Sequence, residues 1–247
     1  MNRKSKCGRP CGFSLLEMLV VITILGIVTA GILMQMDIAQ QRASTEQAKL
    51  DYFQESRDFV DQLFRDVNQA GYPNSRMVDN TTAWLANPMT NDNRLAVGLV
   101  KVDANEIRFE GDIDGSGVVK SIDYELNGSG NCALCLQRSE IDKVAGIAPT
   151  AQARNWGTAV NDVDTTNPIF SYFLANGTQV NPASLPLDMN SAPATIASIK
   201  TIQISLTVRN PNVVDPKTGQ PIENTFQGLV TLNNCSMAAS GAPMSCN

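Results

Sequence analysis

The stretch Gly12-Phe13-Ser14-Leu15-Leu16-Glu17, with the apolar run that continues to Met36, decides how the rest of the chain is read. From Phe13 to Met36 there are 24 residues with one charge, Glu17, and no proline. A helix needs about 20 such residues to cross the ~30 Å hydrocarbon core of a bilayer. Ahead of the run stand Arg3, Lys4, Lys6 and Arg9, and no acid occurs among the first 16 residues. By the positive-inside rule this basic flank keeps Met1–Gly12 cytoplasmic and sends the residues beyond Met36 across the membrane. A secretory signal peptide starts similarly but is cut after its apolar part, behind small residues. Ala30 and Gly31 make no convincing site of that kind. The run also passes into a polar helical pattern without a break, so the segment is expected to stay with the protein.

That polar pattern extends the helix from Asp37 to Ala70. Phe53, Val60, Phe64 and Val67 recur at helical spacing and form an apolar stripe. Asp51, Glu55, Arg57, Asp58, Asp61, Arg65 and Asp66 fall between them, as a solvated or subunit-facing side. Gly71 followed by Pro73 is a stop signal. Phe13 to Ala70 would span about 87 Å if continuous, at 1.5 Å per residue. No compact domain of this size contains such a helix, so its first half must project into a membrane or a filament core. Gly26 and Gly31 weaken it by up to ~1 kcal/mol each relative to alanine.

An ionised side chain inside a bilayer helix costs ~2.5–3.5 kcal/mol and tends to be functional and paired. Gly12 followed by Phe13-Ser14-Leu15-Leu16-Glu17 resembles the class III signal of type IV pilins and type II secretion pseudopilins. The resemblance implies that a prepilin peptidase cuts after Gly12 and methylates the new N-terminus at Phe13, and that Glu17 is the assembly residue. The freed Phe13 amine would then be a cation one turn from Glu17. An incoming subunit's amine would meet an older subunit's glutamate in a low dielectric, which strengthens their attraction.

A second resemblance is to the PilW-like group of minor pilins. It rests on Leu63, the pair Arg65-Asp66 and Ala70-Gly71-Tyr72 at the helix end, with Phe109-Glu-Gly-Asp-Ile-Asp-Gly-Ser-Gly117 and Phe170-Ser-Tyr-Phe173 further on. It implies an α+β pilin-like fold, in which one long N-terminal helix packs on an antiparallel β-sheet domain. The segments are a leader (1–12), a membrane or filament-core helix (13–36), an amphipathic helix (37–71) and a β-rich periplasmic domain (72–247). The implied role is helping to initiate pilus assembly near the tip. The implied partners are the prepilin peptidase, other minor and major pilins, the inner-membrane assembly platform and the lipid bilayer. The chain would begin as a single-pass inner-membrane protein and end in the pilus. Two rivals share the stem: a type II secretion minor pseudopilin of the J kind, and an adhesin or DNA-uptake module.

Composition bears on the rivals. The chain has 247 residues, 43% hydrophobic and 17% charged, enough for one sizeable soluble domain beside the span. Removing the leader leaves 15 basic residues against 24 acids, net −9. Electrostatic nucleic-acid binding needs clustered Lys and Arg, so no nucleic-acid partner is expected. The absence of histidine excludes Ser-His-Asp and Cys-His catalysis, and there is no phosphate-binding glycine fingerprint. No enzyme is expected.

Of six cysteines, Cys7 and Cys11 leave with the leader. Cys132, Cys135, Cys235 and Cys246 form an even set suited to an oxidising compartment. Three pairings are open, and the local ones, Cys132–Cys135 and Cys235–Cys246, are favoured. The C-terminal closure should stabilise the fold by roughly 3 kcal/mol. Cys132-Ala-Leu-Cys135 also has dithiol spacing, but turn residues rather than a helix surround it.

Beyond Tyr72 the chain breaks into short β-rich runs. Asn74–Asn93 reads as a polar loop with Trp84 and Leu85 tacked onto the sheet. Strands are expected at Leu95–Val102, Glu106–Glu110, Ser121–Leu126, Leu134–Arg138, Pro168–Leu174, Ile199–Val208 and Phe226–Leu232. The turn of the second hairpin carries the one ligand-like pattern. Asp112, Asp114 and Ser116 stand at positions 1, 3 and 5 of an EF-hand-type calcium loop, with Gly117 at 6, the Val118 carbonyl at 7 and Asp123 at 12. Lys120 at position 9 and the shorter acid at 12 depart from that pattern. No cofactor is required by the fold, and calcium is the candidate ligand.

Overall fold

In the computed structural model, residues 14–73, 93–128, 132, 134–214 and 219–234 are described. Gly12, Phe13, Trp84, Leu85, Cys235 and Cys246 lie outside them. The chain groups into two units, Met1–Leu50 and Asp51–Asn247.

Helix α1 (Leu15–Asn68) crosses the boundary between the two units. The Ser14 carbonyl accepts from Glu17 N at 3.0 Å and Met18 N at 3.2 Å, closing the first turn. Up to Leu50 its side chains are exposed or, at Ile38, Thr45 and Lys49, partly so. Thr23 and Thr29 donate their hydroxyls back to the carbonyls of Leu19 and Leu25, each at 2.7 Å. Neither hydroxyl is then left to seek a partner in apolar surroundings. Gly26 and Gly31 sit inside the helix with open space around them.

From Asp51 on, α1 buries Ser56, Phe59, Val60, Leu63, Asp66 and Val67. The stripe is therefore centred one residue away from the expected one. Val60 and Val67 lie in it, whereas Phe53 and Phe64, eleven residues or about three turns apart, are half-buried on its flank. Asp66, expected on the solvated or subunit-facing side, is only 6% exposed within the chain's own fold. Gly71 (φ +81) reverses the chain in the left-handed region where glycine carries no Cβ penalty. Its N–H donates to Glu110 O at 2.8 Å and thereby sews the helix exit to the sheet.

Where the sequence suggests one sheet, hydrogen bonding makes two, both antiparallel. The first orders β5 (Trp156–Val160), β4 (Cys135–Asp142), β3 (Lys120–Asn127), β2 (Glu106–Gly111), β1 (Leu99–Val102) and β7 (Leu187–Asp188) side by side. The second places β8 (Ile199–Val214) between β6 (Phe170–Leu174) and β9 (Pro221–Thr231). A short helix α2 (Pro193–Ser198) leads into β8. The β2–β3 hairpin falls where expected, with Phe109 opposite Ile122.

The expected strand over Leu95–Val102 is half as long. Val97 N donates to the Glu110 carboxylate at 3.2 Å and Ala96 N to Pro73 O at 3.0 Å, so the earlier residues pair outside the ladder. Leu134, at φ +58, stands before β4 rather than in it.

In the first sheet Ile107, Phe109, Ile122, Tyr124 and Leu136 join Phe59, Val60, Leu63 and Val67 in the core, with the Phe59 and Tyr124 rings edge to face. The other residues of β2 and β3, namely Glu106, Arg108, Glu110, Ser121 and Asp123, are buried too. Residues 143–155, between β4 and β5, lie over them. Arg108 donates to the carbonyls of Thr150 (3.2 Å) and Gln152 (2.5 Å), and the Gln152 side chain ties Val144 and Ile147 together. The second sheet alternates cleanly. Ile202, Ile204, Leu206 and Val208 are fully buried, while Thr201, Gln203, Ser205 and Thr207 take the opposite face.

Candidate functional site

Three places bear on function: the first turn of α1, the turn between β2 and β3, and the charged groups that join the sheet to the helix and to residues 143–155.

In the β2–β3 turn, Asp112 Oδ2 accepts from Gly117 N at 2.9 Å and Asp114 Oδ1 from Ser116 N at 3.0 Å. Gly115 (φ +70) and Gly117 (φ +80) supply the left-handed conformations this tight path needs. The Ser116 hydrogen bonds, then Lys120 at 3.0 Å, hold the Asp114 carboxyl well below the usual range. The structure brings Asp112, Asp114, Ser116 and Val118 into one turn. It places Asp123 elsewhere. β3 begins at Lys120, and Asp123 stands opposite Arg108, with its carboxylate held by Arg154.

That contact belongs to a cluster with no trace in the local sequence. Carboxylate oxygens of Glu106, Asp123 and Glu125 lie within 4.8 Å of one another. The Arg154 guanidinium reaches all three, at 2.9 Å from Glu106 and 3.8 Å from Glu125, so the acids already surround a cation. Lys101 pairs with Glu106 as well. Burial pushes Asp123 up to about 6, against the opposing pull of Arg154. Beside it Glu110 and Lys143 form a completely buried pair at 2.7 Å. Burial raises Glu110 although Lys143 counters it, and Lys143 also donates to Leu95 O at 2.8 Å.

A chain of ion pairs runs from the end of α1 to the turn. Asp66 accepts from Tyr124 Oη at 2.8 Å and Arg138 Nε at 2.7 Å. Arg138 reaches Glu140 at 2.7 Å, Glu140 takes Lys120 at 2.8 Å, and Lys120 takes Asp114. The partners of Asp66 are 58 and 72 residues away in sequence, which is why no local pattern announces its burial.

Cys132 and Cys135 are joined as a disulfide between β3 and β4, as the short spacing suggested. Leu134 N donates to Asn127 O and Val163 N to Leu134 O, both at 2.8 Å, so this is a tied turn rather than the head of a helix.

Glu17 lies in the first turn of α1, where unpaired N–H groups give the helix end a partial positive charge. Around it the surface is apolar: Leu15 is 84% exposed, and Leu16, Met18, Leu19, Val20, Val21 and Ile22 continue the exposed run. Among the described residues α1 is the one helix long and apolar enough to cross a membrane.

Against known protein families, residues 8–33 match the prokaryotic N-terminal methylation motif. The motif supports a type IV pilin-like protein. No curated protein and no solved structure matches the chain. The matched residues contain Gly12, Phe13 and Glu17 at their fixed offsets, which supports a type IV pilin or pseudopilin processed by prepilin peptidase. One long apolar N-terminal helix with antiparallel sheets is a pilin-like architecture, and it fits membrane anchoring followed by incorporation into a filament with other pilins.

Proposed function

We propose that the chain is a minor pilin of the PilW-like kind. It sits in the inner membrane with its N-terminus cytoplasmic and is cut after Gly12 and methylated on Phe13. The assembly platform then draws it, with other minor and major pilins, into a pilus that it helps to start near the tip. The observation that carries this reading is the acid at Glu17, one turn inside an apolar helix and within the methylation motif. A charge held in lipid or a filament core needs an opposite partner, and the freed amine of the next subunit supplies one. The helix-end residues Leu63, Asp66 and Ala70, all buried, add support, since the PilW resemblance runs through them.

Intact-mass spectrometry of the membrane and sheared-filament fractions tests the mechanism. We expect N-methyl-Phe13 at the start of the wild-type chain in both fractions. Glu17→Val should be processed normally, remain in the membrane and be at least tenfold depleted from filaments. A chain starting at Met1 in filaments, or Glu17→Val joining them at the parental level, refutes it. Deletion tests the minor role: surface filaments should be lost while the major pilin still accumulates in the membrane. Intact filaments together with lost protein secretion would assign the chain to a secretion pseudopilin instead.

A further inference from the structure

We propose that the turn from Asp112 to Val118 binds one calcium ion, through the carboxylates of Asp112 and Asp114, the Ser116 hydroxyl and the Val118 carbonyl, without Asp123.

The first support is a carboxylate oxygen with nothing to bond. Asp112 is 6% exposed, and its Oδ2 is committed to Gly117 N. Its Oδ1 is buried with no hydrogen-bond partner among the described residues. A buried acceptor in that state is expensive and calls for a water or an ion. The oxygens of Asp114 and Ser116 belong to the same turn, which folds back on Asp112 through the Gly117 bond.

The second support is the company Lys120 keeps. Its ammonium lies 3.0 Å from Asp114, 2.8 Å from Glu140 and 3.7 Å from Asp142. Arg138 also pairs with Glu140 but is shared with Asp66, so Lys120 and Arg138 face four carboxylates, an excess of negative charge beside the turn that a divalent ion would offset. Glu140 would keep Lys120 once calcium took Asp114. Asp142, opposite Lys120 in the β3–β4 ladder and largely exposed, can approach from the open side.

The donor set selects the ion. Carboxylate, hydroxyl and carbonyl oxygens without nitrogen or sulfur suit a hard cation rather than zinc or copper. A glycine-bearing turn with mixed ligands suits the adaptable coordination of calcium better than the strict octahedron of magnesium. The acids Glu106, Asp123 and Glu125 offer no competing site, because Arg154 already bonds them. With position 12 of the usual loop missing and water completing the shell, affinity falls in the weak range of extracellular modules, about 10⁻⁴–10⁻³ M.

Equilibrium dialysis of the full-length chain in detergent micelles against radiolabelled calcium tests this. We expect saturable binding of about one ion per chain in that range. Asp114→Asn, a change on an exposed side chain, should weaken it by about tenfold or more, and Lys120→Gln should tighten it. Asp123→Asn should leave it within about twofold, and magnesium in equal excess should not displace it. Circular dichroism of each variant confirms that the fold is retained. No saturable binding up to about 10 mM, binding indifferent to Asp114→Asn, or equal loss on Asp123→Asn would overturn the site.

Discussion

The seat of the helix end can be tested at two glycines. In β2, a Cβ on Gly111 would lie 2.6 Å from Gln69 O, 3.2 Å from Gln69 C and 3.5 Å from Ala70 Cα. All three are backbone atoms, so relief requires the helix exit to withdraw from the sheet. Withdrawal strains two flanking hydrogen bonds, Gly71 N to Glu110 O at 2.8 Å and Asp112 N to Tyr72 O at 2.7 Å. Overpacking costs about 1–3 kcal/mol, and weakening one hydrogen bond adds about 1 kcal/mol. After the ~0.5–1 kcal/mol that alanine gains over glycine in a strand, Gly111→Ala should therefore lose about 1–3.5 kcal/mol.

In β9, a Cβ on Gly228 would run into the ring of Phe64, a half-buried side chain that can swing away. The same overpacking, offset by the ~0.5–1 kcal/mol that alanine gains over glycine in a strand, leaves a net loss of about 1–2 kcal/mol. Urea unfolding of the micelle-bound full chain, followed by near-ultraviolet circular dichroism, reads both losses as shifts in midpoint at constant slope. In a Phe64→Leu background the Gly228→Ala loss should nearly vanish, whereas the Gly111→Ala loss should persist. A Gly111→Ala loss below about 1 kcal/mol, or no relief by Phe64→Leu, refutes the packing argument.

Lys143→Met strands the fully buried Glu110 and should destabilise by about 3–5 kcal/mol at pH 7, with most of it recovered in the Glu110→Met, Lys143→Met double variant. The single-variant loss should shrink on acidification, because burial raises Glu110 and a protonated carboxyl no longer needs the ammonium. For Asp123 the folded value of about 6 lies above the unfolded 3.8, so its ionised form disfavours the fold above that window. As pH falls from 7.5 to 4, the wild type should gain roughly 2–3 kcal/mol relative to Asp123→Asn. A wild-type-minus-variant difference flat in pH contradicts the burial argument. Reduction of Cys132–Cys135, which closes a very short loop, should lower the urea stability by about 2 kcal/mol, and thiol counting before and after denaturation checks the bond.

The elements that announced themselves were those whose signal is local. An unbroken apolar run, a proline-free continuation and Gly71 mark α1 and its end. Ile202, Ile204, Leu206 and Val208 mark β8 by alternation, and the Asp/Gly turn marks the β2–β3 hairpin. The elements that stayed hidden depend on partners far along the chain. β5 has little apolar alternation, because Trp156, Gly157 and Thr158 are exposed, and it exists by pairing with β4. Glu106, Arg108, Glu110 and Asp123 carry no local sign of burial, yet residues 143–155 cover them and supply the cations and carbonyls that make it tolerable. At the candidate sites, the methylation motif was legible through a resemblance that Gly12, Phe13 and Glu17 carry at fixed offsets. The position of Asp123 was not, since position 12 comes from counting while its strand register comes from Arg108 and Arg154.

In β8 and β9 the inner residues meet the core, and the glycine beneath Phe64 helps to seat the helix. The outward row of Thr201, Gln203, Ser205, Thr207, Thr225, Gln227 and Leu229 takes no part in either task. The two faces of the second sheet are thus written in separate letters. Mutation can redraw its outer face, one side chain at a time, while the hold on the helix end stays as firm as before.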